Sequence, residues 1–430
     1  MRIALLAAMT VGLTATSVSA QGVPDLSQSA RVDMGYRRFT SFRVDPFRHV
    51  MIPHWGLVVS AGASAENTVL NFSDVGALIV LDDNDDIQPS DMIDIVGLIP
   101  AGKGVRAVAQ GEGGAYLGGP FGSHFSIGFS VQGRGYGSAK VSDSAIAVVR
   151  DGNLNQQNFN LGNSGASGLA TAEIGAHAVL RFGPFGGEDG MNLALGMGGR
   201  LVRPGAYVRA RSEVGSPGTM RVTSDSIVLD LAFETLITPD DNLEQRFKGD
   251  FGSGTAGDFL MRLEWPTQGF AFEAMVANIG TVSIQQLERD SASIFVATAD
   301  PLNDLVDAFD AVAFETRDTV DVDVRLPRIV RFGASAWANR ILQLDLSTTL
   351  PVGGEFETPL IMDVGTTWRF LKNLPLRAGL TIGGHQGLGY SGGFAFEARN
   401  MLFQVAGQSL GGFMKQAKGA GARFDFGFFF

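Results

Sequence analysis

The last eleven residues constrain this chain more than any others. In Ala420-Gly421-Ala422-Arg423-Phe424-Asp425-Phe426-Gly427-Phe428-Phe429-Phe430, the residues Ala422, Phe424, Phe426, Phe428 and Phe430 alternate with Gly421, Arg423, Asp425 and Gly427. A period of two puts the two sets on opposite faces of a β-strand. A soluble sheet with one dry face alternates too, but so many Phe at a chain end would be an edge-aggregation hazard in water. Against lipid the same Phe form an outward apolar band, with Arg423 and Asp425 turned to a polar lumen. The pattern predicts a transmembrane strand. Phe426, Phe428 and Phe430 are its expected signal to the barrel-assembly machinery.

The alternation recurs upstream. Leu342, Leu344 and Leu346 oppose Gln343, Asp345 and Ser347, and Val364, Thr366 and Trp368 oppose Asp363, Gly365, Thr367 and Arg369. Leu376, Ala378 and Leu380 oppose Arg377; Phe394 and Phe396 oppose Glu397 and Arg399. Phe259, Met261 and Leu263 oppose Arg262 and Glu264, while Phe270, Phe272 and Ala274 oppose Glu273. Such segments run about 8–11 residues, the span of a tilted membrane strand. From Trp265 onward short connections alternate with longer ones, the habit of outer-membrane barrels. Counting back from Phe430 gives nine strands down to Asp258. Thr219–Leu236, Met191–Arg203, Leu169–Phe182, Ser123–Arg134 and Val105–Gly111 bring the expected antiparallel β-barrel to about 14 strands, with 16 also compatible. Val131–Gly168, rich in Gly, Asn and Ser, falls on the short-turn side by strict count, which signals a miscounted strand upstream.

The N-terminus reads differently. Met1-Arg2, the apolar run Ile3–Thr16 and Val18-Ser19-Ala20 form a secretory signal peptide over residues 1–20. Residues 21–104 carry a short apolar stretch at Asn71–Leu81 with helical as well as strand potential, a helix at Pro89–Ile99 with Ser90 as N-cap, and room for a first strand. They are expected to plug or cap a barrel formed by 105–430. A further helix is expected at Pro301–Ala313, inside the long loop Gly280–Pro327.

Few residues offer chemistry. The chain has no Cys, which excludes disulfides, thiolate metal sites and thiol nucleophiles. A net charge of −11 argues against nucleic acid as a partner. Gly389-Tyr390-Ser391-Gly392-Gly393 spells a nucleophile elbow but is placed in a hairpin loop rather than a strand-to-helix turn. Asp82, Asn84 and Asp86 have the spacing that opens a calcium loop, yet Ile87 stands where Gly is required and Ile93 where a bidentate Glu belongs. The five His lack metal spacing. Neither catalysis nor a cofactor is expected. The one expected constellation is a lumen wall of mixed charge: Arg262, Glu264, Glu273, Arg331, Asp345, Asp363, Arg369, Arg377, Glu397, Arg399, Arg423 and Asp425. It would either bias solute passage or neutralise itself against a plug.

Gly269–Gly280 (ending Asn278-Ile279-Gly280), Leu326–Ala334 (opening Leu326-Pro327) and Leu374–Gly379 (opening Leu374-Pro375) resemble recurrent strands of an outer-membrane superfamily. That superfamily holds the FadL long-chain fatty acid porins and the PorV-type secretion barrels. The resemblance covers Asp258–Phe430; the Asn-Pro-Ala signature of the FadL porins is absent, and no ligand-binding residue carries over. It implies transport of a hydrophobic or small solute across the outer membrane, or, alternatively, a non-conducting barrel that docks exported proteins. A detergent extract should give a β-type circular dichroism spectrum and a folded band that shifts on boiling in gel electrophoresis. A monomer soluble without detergent would contradict the barrel.

Overall fold

In a bilayer every backbone N–H and C=O must find a partner within the protein, so an alternating sheet must close on itself. The computed structural model describes Phe47, Val50, residues 54–71 and 96–430, apart from short stretches of which the longest are 152–157, 213–217, 223–226, 240–250 and 299–314. The strands are β1 (Gly56–Asn67), β2 (Val105–Pro120), β3 (Phe125–Val141), β4 (Asn158–Asn160), β5 (Gly165–Phe185), β6 (Met191–Ser212), β7 (Thr219–Val222), β8 (Ile227–Ile237) and β9 (Gly252–Trp265). They continue with β10 (Phe270–Thr298), β11 (Glu315–Arg325), β12 (Ile329–Asn339), β13 (Leu342–Pro351), β14 (Ile361–Leu371), β15 (Leu374–Gly383), β16 (Gly387–Glu397), β17 (Met401–Leu410) and β18 (Gly419–Phe429). One helix, α1 (Asp143–Asp151), lies between β3 and β4. Among the described residues no helix is long and apolar enough to cross a membrane.

All pairings are antiparallel, and the ring closes where β18 meets β1, from Gly56↔Phe429 to Glu66↔Gly419. The barrel has 14 strands, with two more outside it. The outside pair is β4 and β7, which extends from β8. The total matches the expected one through two offsetting differences. β1 belongs to the wall although it lies inside the segment expected to plug or cap the barrel. β8 and β9 occupy one wall position in succession: both pair with β6 on one side and β10 on the other. The strand expected over Thr219–Leu236 is instead the hairpin of β7 and β8. With this count the connection from β3 to β5 falls at the long-loop end, removing the side conflict. Two other boundaries move: β2 runs on to Pro120, and much of the loop expected over Gly280–Pro327 is strand, as β10 and β11 extend the wall. The helix expected at Pro301–Ala313, the one at Pro89–Ile99 except its last turn, most of Asn71–Leu81, and the signal peptide lie outside the described residues.

The faces sort by parity. On β18 Arg423, Asp425 and Phe429 are buried toward the lumen, while Phe424, Phe426, Phe428 and Phe430 are exposed on the outer face. Three backbone irregularities change that parity. In β6 the pairing jumps from Ala170↔Ala206 to Thr171↔Pro204, so Val202 and Tyr207 both face inward although five positions apart. In β10 the register shifts at Asn278 and again at Gln286, the two non-glycine residues with positive φ among the described residues, 63° and 58°. Asn tolerates this left-handed region better than most residues.

Glycine is not confined to turns and the lumen. Gly111, Gly113, Gly133, Gly135, Gly137 and Gly168 share the outward register of β2, β3 and β5 with Ala109, Ala139 and Ala170. The outer face there is smooth, which weakens the alternating hydropathy of the N-terminal strands. Below it the outer face carries bulkier side chains such as Val131, Ile174 and Leu201. Ile174→Arg should lower unfolding stability by about 2–4 kcal/mol in lipid, measured by urea titration in vesicles, whereas Ile174→Leu should be nearly neutral.

Candidate functional site

The lumen is built in layers, starting at the short-turn end. Phe47 and Val50, from the segment preceding β1, pack in a buried apolar cluster with Val179, Ala194, Leu260, Met275, Ala277 and Ile329. Two inward glycines make room for them. A Cβ on Gly196 would stand 2.8 Å from the Phe47 ring, and one on Gly128 would stand 2.8 Å from Val50. The Phe47 ring meets His177 edge-on at 5.3 Å between centroids.

Above this cluster lies a continuous charged layer. Arg200 on β6 grips Asp258 on β9 with two bonds, 2.9 Å from Nε and 3.0 Å from Nη2. Its other contacts are Glu173 on β5 and Asn278 Oδ1. Asn278, turned inward by its positive φ, donates its backbone N–H to Asp258 (2.9 Å) and its side-chain amide to the Pro327 carbonyl (3.0 Å). His177 Nε2 lies 3.1 Å from Asp258. Arg134 on β3 joins Glu173 at 3.2 Å and Asn278 at 3.2 Å, and Gln132 donates to Glu173. On the far side Arg423 bridges Glu112 of β2 (3.1 Å), Asp425 (3.3 Å) and Ser60 of β1 (2.9 Å). The chain of contacts thus crosses the lumen from β18 through β1, β2, β3, β5, β6 and β9 to β10. Charges taken from water are tolerable only when paired and bonded, and these are.

The residues expected from sequence sit in this layer and on the opposite wall. Arg331 pairs with Glu273 at 3.0 Å, and Arg262 contacts Glu264 and Glu273. Arg377 pairs with Asp345 at 3.2 Å, Thr381 donates to Asp363 at 2.8 Å, and Arg369 lies 3.6 Å from Glu397. Arg399 lies outside the described residues, as do Asp82, Asn84 and Asp86 of the calcium reading. Among the described residues no group of His, Asp and Glu is arranged to hold a metal. Ser391 is inside β16, paired with Gly379 and Gln408, rather than in a hairpin loop; a serine in a regular strand lacks the sharp turn that exposes a nucleophile. Sequence reading missed the half of the layer built from Glu112, Arg134, Glu173, His177 and Arg200. Gly or Ala flanks Glu112, Arg134 and His177 on both sides and Glu173 and Arg200 on one, which blurs the alternation around them.

On the long-loop side of the charged layer the lumen turns apolar. Leu169, Val202, Tyr207, Leu236, Ala256, Val282, Ile284, Leu287, Val324, Leu326 and Phe356 form one buried cluster, with Tyr136 stacked on Phe356 at 5.8 Å. This cluster surrounds the interruption between β8 and β9. Along β6 regular pairing stops at Val202↔Gly254 and resumes at Val208↔Ile237; along β10 it stops at Ile284↔Gly252 and resumes at Glu288↔Ile237. The edges are stitched locally: the Tyr207 N–H donates to Thr238 Oγ1 (2.7 Å) and Gln285 N–H to the Phe251 carbonyl (2.9 Å). Outside, the interruption is flanked by the exposed apolar side chains Leu201, Val208 and Ile237, with Arg203 reaching the Gly252 carbonyl at 3.3 Å.

The whole is a membrane-spanning β-barrel whose lumen carries paired charges toward the short-turn end and an apolar cluster toward the long-loop end. Its architecture is similar to the Ralstonia pickettii toluene transporter TbuX, with a TM-score of 0.48 and 10% identity over 93% of this chain and 94% of that one. The P. putida toluene transporter TodX gives 0.47 and 9% over 91% and 94%, and a Pseudomonas aeruginosa FadL homologue 0.43 and 11% over 90% and 92%. No family model and no curated protein matches the sequence. At such identity no residue role is carried across. Arg200→Met should destabilise the barrel by about 3–5 kcal/mol by leaving the buried Asp258 without its guanidinium and Glu173 with Arg134 alone. Urea unfolding of Arg200→Met and of the Arg200→Met/Asp258→Asn pair checks this; the second change should recover part of the loss.

Proposed function

We propose that this protein admits a hydrophobic solute through the outer membrane. The reading rests on the apolar cluster inside the lumen, set around the interrupted wall strand and above the layer of paired charges. A barrel that passes hydrophilic solutes has a polar, wetted interior; here the β5–β11 side of the long-loop half is lined by Leu, Val, Ile, Tyr and Phe. A hydrophobic solute gains by leaving water for such a surface, about 25 cal/mol per Å² of apolar area. Continuing along the axis would bring it against paired charges with nothing to offer it, and then against Phe47 and Val50. The interruption between β8 and β9 is the place where the apolar interior lies nearest the apolar exterior. Exit through the wall into the bilayer is the path of lowest desolvation cost. The charged layer serves as the floor of the chamber, which gives the expected lumen residues a structural part in transport. No observation favours the alternative of a non-conducting docking barrel.

The test is flux into proteoliposomes of a hydrophobic fluorescent probe beside a sugar-sized hydrophilic one. Leu236→Gln with Ile284→Gln places unpaired amides on the chamber wall, each costing about 1–3 kcal/mol against an apolar neighbour. Hydrophobic flux should fall roughly tenfold or more, while hydrophilic leakage stays at the level of empty vesicles. Unchanged hydrophobic flux in the double variant, or wild-type flux no greater than empty vesicles, would overturn the proposal. Deleting the plug must stop before Trp55, because removing residues 21–104 would take β1 out of the ring.

A further inference from the structure

On β9, β10 and β11 the polarity of the wall reverses at Asn278. Toward the short turns, the outward rows of cross-strand partners are Trp265–Phe270–Ala336, Leu263–Phe272–Ala334, Met261–Ala274–Phe332 and Phe259–Val276–Val330, all apolar. Beyond Gly257–Ile279 the rows become Thr255–Thr281–Arg325 and Ser253–Ser283–Asp323, with no apolar member. Gln285 and Glu288 on β10 and Thr319 and Asp321 on β11 continue this polar face, and all of these residues except Ser283 are exposed. Behind them Val282, Ile284, Leu287 and Val324 are buried, with Val320 and Val322 packed on the same cluster. Polar outside and apolar inside is the pattern of a sheet whose outer face is solvated. The wall nearer the short turns, with Phe outside and Arg262 and Glu273 inside, has the converse pattern of a lipid-facing barrel.

The height of the wall agrees with this division. Aromatic girdles mark the membrane interfaces of such barrels, and at the short-turn end the rings of Trp265 and Phe270 lie 5.6 Å apart. Thr255 stands ten residues before Trp265 on one continuous strand. At about 3.3 Å per residue and a tilt of about 40°, ten residues rise about 25 Å, roughly the height of the apolar band of an outer-membrane barrel. The band is therefore used up where the polar rows begin. On β6 the same row is reached at Leu201, opposite Thr255, and the next outward residue is the exposed Arg203. Glu288, Asp323 and Arg325 form no ion pair among the described residues, and an unpaired charge on the lipid face is costly.

From the reversed polarity and the height together we infer that the hydrocarbon ends at Ile279 on this side of the barrel, and that the outer face of β9, β10 and β11 beyond it is a contact surface for lipid headgroups. Asp323 and Arg325, two positions apart on one face, offer a carboxylate to the ammonium and a guanidinium to the phosphate of a zwitterionic headgroup. The hydroxyls of Thr255, Thr281 and Ser283 beside them add neutral donors and acceptors. Higher up, where β10 pairs with β8, the sheet stands clear of the bilayer. The interruption between β8 and β9 begins at the same rows, because regular pairing stops at Val202↔Gly254 and Ile284↔Gly252. On the transport reading, a solute passing there enters the bilayer at the rim of the hydrocarbon. The headgroup surface itself does not depend on that reading.

The chain has no Cys, so a single replacement carries the only thiol. Thr281→Cys and Asp323→Cys are compared with Val276→Cys and Phe332→Cys, each as the full chain in phosphatidylcholine nanodiscs, with folding checked by the boiled and unboiled bands. A charged maleimide should modify the first two at least about a hundredfold faster than the last two, because it is excluded from hydrocarbon. In a second measurement an environment-sensitive fluorophore is attached in urea before refolding. On Thr281→Cys and Asp323→Cys it should be quenched more by a nitroxide on the headgroup than by one midway along the acyl chain, and on Val276→Cys and Phe332→Cys the reverse. Equal reactivity at all four positions, or acyl-chain quenching at Thr281→Cys and Asp323→Cys, overturns the inference. If both thiols react fast but neither nitroxide quenches their labels, that face stands in bulk water and the headgroup contact is overturned.

Discussion

Closure of the sheet is the constraint from which everything else follows. A strand in hydrocarbon cannot leave a row of N–H and C=O groups unpaired, so β1 must meet β18 and each strand between must hold its register. Once the ring is closed, alternation sends every second residue inside. The interior is then forced to solve a packing and charge problem that a solvated sheet would leave to water. The charged layer from Arg423 to Asn278 is that solution: each carboxylate touches a guanidinium, and the guanidiniums are shared between strands far apart in sequence.

The irregularities are as informative as the regular pairing. Gly205 in β6 and Asn278 and Gln286 in β10 reverse the inward parity. Below them the lumen receives Arg200, Asp258, Arg262 and Glu273; beyond them it receives Tyr207, Val282, Ile284 and Leu287. The same few positions bracket the break between β8 and β9. A change from a polar floor to an apolar chamber, and a wall that is discontinuous beside it, thus come from a handful of backbone departures. Asn278 does both jobs, bending the strand and bonding Arg200 and Asp258.

Legibility in the sequence followed the outer face. From Phe259 to Phe430, outside Gly280–Pro327, bulky apolar residues alternate with polar ones, and both the strands and their inward charges are legible directly. In β2, β3 and β5 the outer positions are mostly Gly and Ala, whose hydropathy differs little from that of the small inward residues. There the strands run beyond the stretch that alternation marks, and Glu112, Arg134 and Glu173 do not stand out as lumen residues. The hairpin of β7 and β8 was read as one strand because the turn between them interrupts the apolar run only briefly.

The amino-acid order by itself determined the class: period-two alternation ending in Phe, without Cys, with short and long connections in turn, is compatible with a membrane barrel and with little else. It also placed most of the C-terminal charges inside, because parity is a local property of an extended chain. Only the closed tertiary structure decided which charges meet, since Arg200 and Glu173, or Arg423 and Glu112, are joined by the curvature of the ring and not by spacing. It alone showed that β8 and β9 share one slot, and that the apolar side chains of seven separate segments gather around that break. Register between distant strands is set by the whole ring closing at once, and no single segment contains it.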